Sequence, residues 1–305
     1  MRSIKHNLLL VDNMREYLVN FFKDFEYDRA DAEFLLFTYD RIAGIEDTLA
    51  IWNEAMDIYE RDMNCDFDMI ISLAKEVAQR LDMHTYTSEL LVFICLSKHL
   101  REIYVERGID LAVFHNSMLD LKYKLDECKA VKGIVGSFVA WWFNRFFNLE
   151  RVALGRLQFE VDAFCHHYEK NGRVLTPDSK AINVHIPRTL THLTPESCDE
   201  AFAMARDYFS TQVADGCPFI CHSWMLYPGN LTILPESTNV HKFAARFDIF
   251  NHADDPTLED LWRIFDTDEK DPDRLLTDTT MRRAYVNHLK NGGKLGWGHG
   301  VFFYH

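Results

Sequence analysis

Residues 219–230 read FICHSWMLYPGN and place a thiol, an imidazole and a hydroxyl at consecutive positions, Cys221, His222 and Ser223. These are the groups of covalent catalysis, in which a base activates a thiol or hydroxyl nucleophile. What they can do depends on the element that carries them. Prolines 218 and 228 bound an apolar run that reads as a strand over 218–226. Phe219, Cys221, Ser223 and Met225 would then point one way, and Ile220, His222, Trp224 and Leu226 the other. Cys221 and His222 would face opposite sides of the sheet and could not pair as nucleophile and base. No G-x-S-x-G elbow supports a serine hydrolase. Cys221 is expected to be a small core residue. His222, beside Trp224, is either a hydrogen-bonded core histidine or a pocket wall.

Metal chemistry finds no better footing. Of 14 histidines, the tightest cluster is CHHYE at 165–169, and no histidines are spaced i, i+4. H-E-x-x-H and C-x-x-C are also absent, so no metal is expected. Neither G-x-x-x-x-G-K-[ST] nor G-x-G-x-x-G occurs. The glycine-rich NGGKLGWGHG at 291–300 precedes a strand rather than a helix, and reads as a helix stop plus a turn. What remains is INVHIPRTLTHLTPESCDEAF. A strand leads through a loop to a helix start marked by Thr194 or Ser197, with Pro195 suited to the first turn. The free N–H groups of such a start bind anions, and Arg188 adds a cation; a plain strand–helix connection is the other reading.

The elements that must position these residues fall into two groups. Up to about residue 150 the periodicity is helical. DRADAEFLLFTYDRIAG, FDMIISLAKEVAQRL and TSELLVFICLSKHLREIYVERG each carry an apolar face, the last opening on Thr87 or Ser88 and apolar all round from Leu90 to Leu96. AWWFNRFF at 140–147 is a dense aromatic packing element. After Leu149 the period becomes two. GRLQFEVDAF puts Leu157, Phe159, Val161 and Ala163 on one face and Gln158, Glu160 and Asp162 on the other. NGR at 171–173 is a turn and AINVHIP a strand. SCDEAFAMARDYFSTQV is a helix with Ala201, Met204, Ala205 and Tyr208 on its stripe, NVHKFAARFDIFNHA a long strand, TLEDLWRIF and TMRRAYVNHLKNGG helices, and GVFFYH a last strand. All eight prolines lie in this half. The fold class is α+β: an all-helical domain over 1–148, then a mixed α/β domain over 149–305.

The bulk numbers narrow the function. A composition 48% hydrophobic and 26% charged can bury a sizeable core, and a net charge of −14 argues against nucleic acid and anionic membranes as partners. No run approaches a membrane span. The four-residue apolar run before Asp12 is too short for a signal peptide. Seven cysteines, odd in number and without a C-x-x-C, read as free thiols in a reducing cytoplasm.

Strand, strand, strand–loop–helix, strand, short segment, strand is the core order of the GNAT acyltransferase fold. LGRLQFE at 154–160, and INVHIPR, LTPESCDEAF and ARDYF followed by FICHSWML and LPESTNVHKFAARFDIF, resemble the bacterial acyltransferase-like family with an N-terminal helical domain and a GNAT-like C-terminal domain. The resemblance covers nearly the whole chain. It implies an N-acyltransferase that uses acetyl-CoA or another acyl-CoA as co-substrate, with a small-molecule acceptor, an amine, and no metal. It places pantetheine and pyrophosphate on Val184, Ile186 and Arg188 and on the 189–198 loop, with Thr194 and Ser197 at the helix start. The next strand would splay away and bring His222, Ser223 and Trp224 beside the acyl group. Glu160 and His185, on the polar faces of their strands, are the candidates for the base or base–water relay, and Tyr227 for the acid. One feature departs from the family: RTLTHLTPES contains no glycine where a glycine-rich loop normally approaches the pyrophosphate. That leaves open a GNAT scaffold serving as a non-catalytic ligand-binding or protein-interaction module. Acceptor, chain length and oligomeric state are not encoded in these motifs.

Overall fold

The computed structural model describes residues 14–189, 191–214 and 216–304. The N-terminal apolar run considered for a signal peptide lies outside the described residues. Two compact units divide the chain, 1–150 and 151–305.

The first unit is helical: α1 (residues 14–24), α2 (Arg29–Ala43), α3 (Glu46–Arg61), α4 (Phe67–Arg80), α5 (Thr85–Glu106), α6 (Leu111–Lys132) and the single turn α7 (Asn144–Phe147). The amphipathic repeats set which side is buried, as with Ile70, Ala74 and Val77 on α4. Every residue from Leu90 to Leu96 is buried, which makes α5 the central helix. Its cap is not the Thr87 or Ser88 expected from the sequence. His84 takes that role, its Nδ1 accepting from the Tyr86 amide at 3.1 Å. Thr87 and Ser88 sit inside the first turn and donate to the carbonyls of Val135 and Thr85. From AWWFNRFF, Phe143, Phe146 and Phe147 enter this core, and Tyr59 donates to the Phe147 carbonyl at 2.8 Å. Among the described residues no helix is long and apolar enough to cross a membrane.

The second unit is built on β1 (Arg151–Leu154), β2 (Leu157–Ala163), β3 (Tyr168–Lys170), β4 (Arg173–Leu175), β5 (Lys180–His185), β6 (Phe219–Ser223), β7 (Asp248–Asp254) and β8 (Gly296–Phe302). The main sheet runs β1-β2-β5-β6-β8-β7, while β3 and β4 form a separate hairpin turning on Asn171 and Gly172. Neighbours in the main sheet are antiparallel except β5 and β6, which are parallel and joined through α8 (Pro195–Tyr208). Short helices α9 (Asn230–Ile233), α10 (Asn239–Ala244) and α11 (Trp262–Phe265), with α12 (Thr280–Lys290), fill the later connections. One face of the sheet packs on α8, where Phe202 meets Phe159 and Phe219 at ring-centroid distances of 6.0 and 4.8 Å. Burying one such phenylalanine stabilises the fold by roughly 1.5–3 kcal/mol.

Four local readings are corrected. NVHKFAARFDIFNHA is not one strand but α10 followed by β7, because Thr238 caps a helix through the His241 amide. The strand at 218–226 ends at Ser223, whose hydroxyl accepts from the Met225 amide and turns 224–226 into a 3-10 helix. The buried stripe of α8 is Cys198, Ala201, Phe202 and Ala205, with Met204 exposed. The glycines of LGWGHG lie within β8 rather than in a turn before it. Side chains there are excluded by contact: a Cβ on Gly298 would lie 2.2 Å from the Leu226 carbonyl oxygen.

Candidate active site

The site begins with a tight hairpin. Gly155 and Arg156 form a two-residue turn, with Gly155 at φ 59°, so Leu154 pairs with Leu157 and Arg151 lies directly opposite Glu160. Arg151 Nε donates to Glu160 Oε2 at 2.8 Å, and both side chains are almost fully buried, at 5% and 3% exposure. On the other side β5 pairs in a register that sets Asn183 against Glu160 and His185 against Gln158. His185 Nε2 is 2.8 Å from Glu160 Oε1, and Asn183 Nδ2 donates to the same oxygen at 3.3 Å. Burial alone would push the Glu160 carboxyl up. The hydrogen bond and charge of His185, with the Arg151 guanidinium, outweigh it and hold the group down at about 2. Glu160 is therefore ionised and can only accept, so the proton between it and His185 sits on Nε2.

Beside this pair the sheet opens. β5 and β6 are paired only at Ile182–Phe219 and Asn183–Ile220. Ile182 donates its amide to the Pro218 carbonyl at 2.9 Å. Two residues on, the Val184 amide points the same way and closes the last pair, Asn183–Ile220, on the Ile220 carbonyl. His185 and His222 stand two residues beyond the last pair on the two strands, on the same face of the sheet, at either lip of the opening. The Val184 side chain itself faces away from them and is buried with Phe159.

Other expected residues are placed differently. Ser223 is the cap of the 3-10 turn, and Trp224, in that turn, packs edge-on against Tyr285 at 6.2 Å. Tyr227 is not brought to Glu160 and His185. Its hydroxyl donates to Asp254 Oδ1 at 2.7 Å at the end of β7, and burial, together with that bond and the Asp254 charge, pushes the phenol up to about 12. Arg188 is engaged bidentately by Asp266, at 2.7 and 3.0 Å, and Arg282 holds the same carboxylate at 2.7 Å. Thr194 caps α8 by accepting from the Ser197 amide, and the Ser197 hydroxyl returns to the Thr194 carbonyl. Ile186 lies half-buried just past β5. The loop before α8 is tied down by a residue the sequence reading passed over: Arg156 donates to the carbonyls of Pro187 at 2.9 Å and Thr191 at 3.1 Å. Cys221 faces away from His222 and is buried, which pushes its thiol up. Among the described residues no group of three or more histidine, cysteine or acidic side chains is arranged to hold a metal.

Comparison with known proteins agrees with this architecture. Residues 16–149 match the N-acyltransferase N-terminal domain, and residues 152–302 match the GNAT-like C-terminal domain. The chain belongs to the family that joins these two domains. No curated protein matches the sequence. Among solved structures, an acyltransferase in complex with decanoyl-CoA and teicoplanin is similar at 20% identity and TM-score 0.72, over 93% of this chain and 86% of that one. An acyltransferase mutant in complex with octanoyl-CoA is similar at 20% identity and TM-score 0.73, over 94% and 88%. At that identity the likeness is one of fold.

Within the GNAT-like domain, Arg151 and Asn183 are the members of the polar cluster that sequence reading missed. Arg151 was recoverable. In RVALGRLQFE, counting outward from a two-residue turn at Gly155-Arg156 sets Arg151 against Glu160. Asn183 depends on the β2–β5 register, for which no local signal exists.

Proposed function

We propose that this chain is an acyl-CoA-dependent N-acyltransferase, with His185 as the base and Glu160 as the residue that orients it. The observation that carries the reading is the Arg151–Glu160–His185 cluster set at the lip where β5 and β6 part. Solved relatives of the same fold hold octanoyl- and decanoyl-CoA, which favours a medium acyl chain over acetyl. The pantetheine arm would enter between the strands beyond the Asn183–Ile220 pair. The 187–198 loop and the start of α8 would take the pyrophosphate. Arg156 restrains that loop through two carbonyls, in place of the glycines the loop lacks.

The acceptor ammonium loses one proton to solvent, and the free amine attacks the thioester carbon. The C–N bond forms, the tetrahedral intermediate collapses, and the C–S bond breaks. His185 Nδ1 takes the second nitrogen-bound proton and returns it to the departing thiolate. A carboxyl held at about 2 is too weak a base for this step, so Glu160 serves by fixing the tautomer and stabilising the imidazolium. Tyr227 already donates to Asp254, and the reading assigns it no proton transfer.

The glycine-free loop favours one other reading, a GNAT scaffold that binds a ligand without turnover. One experiment separates the two. Thiol release from octanoyl-, decanoyl- and acetyl-CoA is measured with a panel of primary amines, alongside calorimetry with the same thioesters. Binding without thiol release would leave the non-catalytic reading, and failure to bind any thioester at millimolar concentration would remove the acyl-CoA reading.

A further inference from the structure

The row of side chains that contains His185 continues across the sheet. The registers place Gln158 beside His185 on one side of the opening, and His222, His299 and Asn251 side by side on the other, all on one face, with Trp297 next along β8. His222 and His299 stack, with ring centroids 4.2 Å apart and planes 25° from parallel. Trp297 stands edge-on to His222 at 4.6 Å, and His166, from the segment before β3, meets His299 edge-on at 4.8 Å. His222 is exposed, and Trp297 and His299 are half-buried. Among the described residues no hydrogen bond joins the imidazole rings of His166, His222 or His299 to another protein group.

Two properties follow from these placements. The rings offer π faces and edges at stacking distance, which a planar aromatic group matches better than an alkyl chain. The imidazole nitrogens remain to be satisfied, and an alkyl chain laid over them would strip their water without replacing it. A ligand that combines a ring with a polar hydrogen-bonding group satisfies both conditions. Burial, and the proximity of the other imidazoles, hold His299 down at about 4, so near neutral pH it puts no positive charge in the way of an ammonium.

We propose that His222, Trp297 and His299 form an acceptor subsite that takes an aromatic ring carrying the amine to be acylated. The inference rests on the transferase reading in one respect: the row ends at His185, where the amine would lose its proton. Ring recognition itself stands on the platform and is testable without any thioester.

The test compares 2-phenylethylamine with 2-cyclohexylethylamine, which share the amine and its spacing but not the π face. Calorimetry on the full chain, without thioester, is expected to show the aromatic amine bound about tenfold more tightly, the scale of one good aromatic contact. Trp297→Leu and His299→Leu should each abolish that preference. His222→Ala, at an exposed position where folding is least at risk, should reduce it severalfold. Equal binding of the two amines by the parent chain overturns the proposal, as does a preference that survives all three substitutions. So does weakened octanoyl-CoA binding in Trp297→Leu with the amine preference intact, since the acyl chain would then occupy the platform. If thiol release is absent but the ring preference is present and lost in Trp297→Leu, the subsite stands and the transferase reading fails.

Discussion

At the scale of single residues, two charges nearly sealed from water decide what the third group can do. Glu160 accepts from Arg151 and His185 on its two oxygens, and its ionisation places the shared proton on His185 Nε2. His185→Gln should therefore lower kcat by about 10²–10⁴ while changing KM for the thioester little, read in steady-state kinetics. A comparable rise in KM with kcat unchanged would show that His185 binds rather than transfers protons. Glu160→Ala removes the carboxylate that pairs with the buried Arg151, and should destabilise the chain by about 3–5 kcal/mol in denaturant titration. The same pair has a pH signature. The folded Glu160 carboxyl lies at about 2, below its ordinary 4.5. Its contribution is thus complete above about pH 4.5 and is lost as pH falls towards 2, because the unfolded chain binds the proton first. Parent chain and Glu160→Gln should differ in acid sensitivity across that window; superimposable profiles would contradict the assignment. Cys221, read from strand alternation as a core residue, should tolerate Cys221→Ala with turnover within a few-fold and a loss of about 1 kcal/mol.

Elements explain both what was legible and what was not. Helices α2 and α4 and strand β5 follow from periodicity, since each buries one side of a regular pattern. FAARFDIF misled because its alternating apolar residues suit a strand, while the Thr238 cap and the packing of Phe243 and Phe247 make the first part helical. Polar and buried proved compatible as well: Gln158 and Glu160 were correctly put on the polar face of β2, yet that face is buried there. No local pattern records that, because it depends on pairing partners distant in sequence. The loop before α8 offers the element-level prediction. Arg156 holds two of its carbonyls, whereas Arg188 is already matched by Asp266, which Arg282 shares. Arg156→Ala should raise the dissociation constant for octanoyl-CoA more than Arg188→Ala does, by calorimetry. The reverse order would return Arg188 to the role of the principal phosphate contact.

For the molecule as a whole, charge and the proposed ligand have the same sign. The chain carries 47 acidic against 33 basic side chains, a net charge of −14, and a coenzyme A thioester is a multiply charged anion. At long range the field of the protein should slow encounter, and salt should relieve that repulsion as the screening length shortens from about 30 Å at 0.01 M to about 10 Å at 0.1 M. At short range the loop and helix start would attract phosphate under the proposed reading, and salt should weaken that contact. The two effects separate in kinetics, because repulsion acts on association and local contacts act mainly on dissociation. Stopped-flow measurements with octanoyl-CoA should thus show an association rate that rises severalfold between 0.01 and 0.1 M salt, together with a faster dissociation rate. An association rate that falls over that range would mean that the charge around the opening is locally positive enough to steer the ligand against the net charge. In that case the groups responsible should be sought among the arginines near the loop, beginning with Arg156 and Arg188.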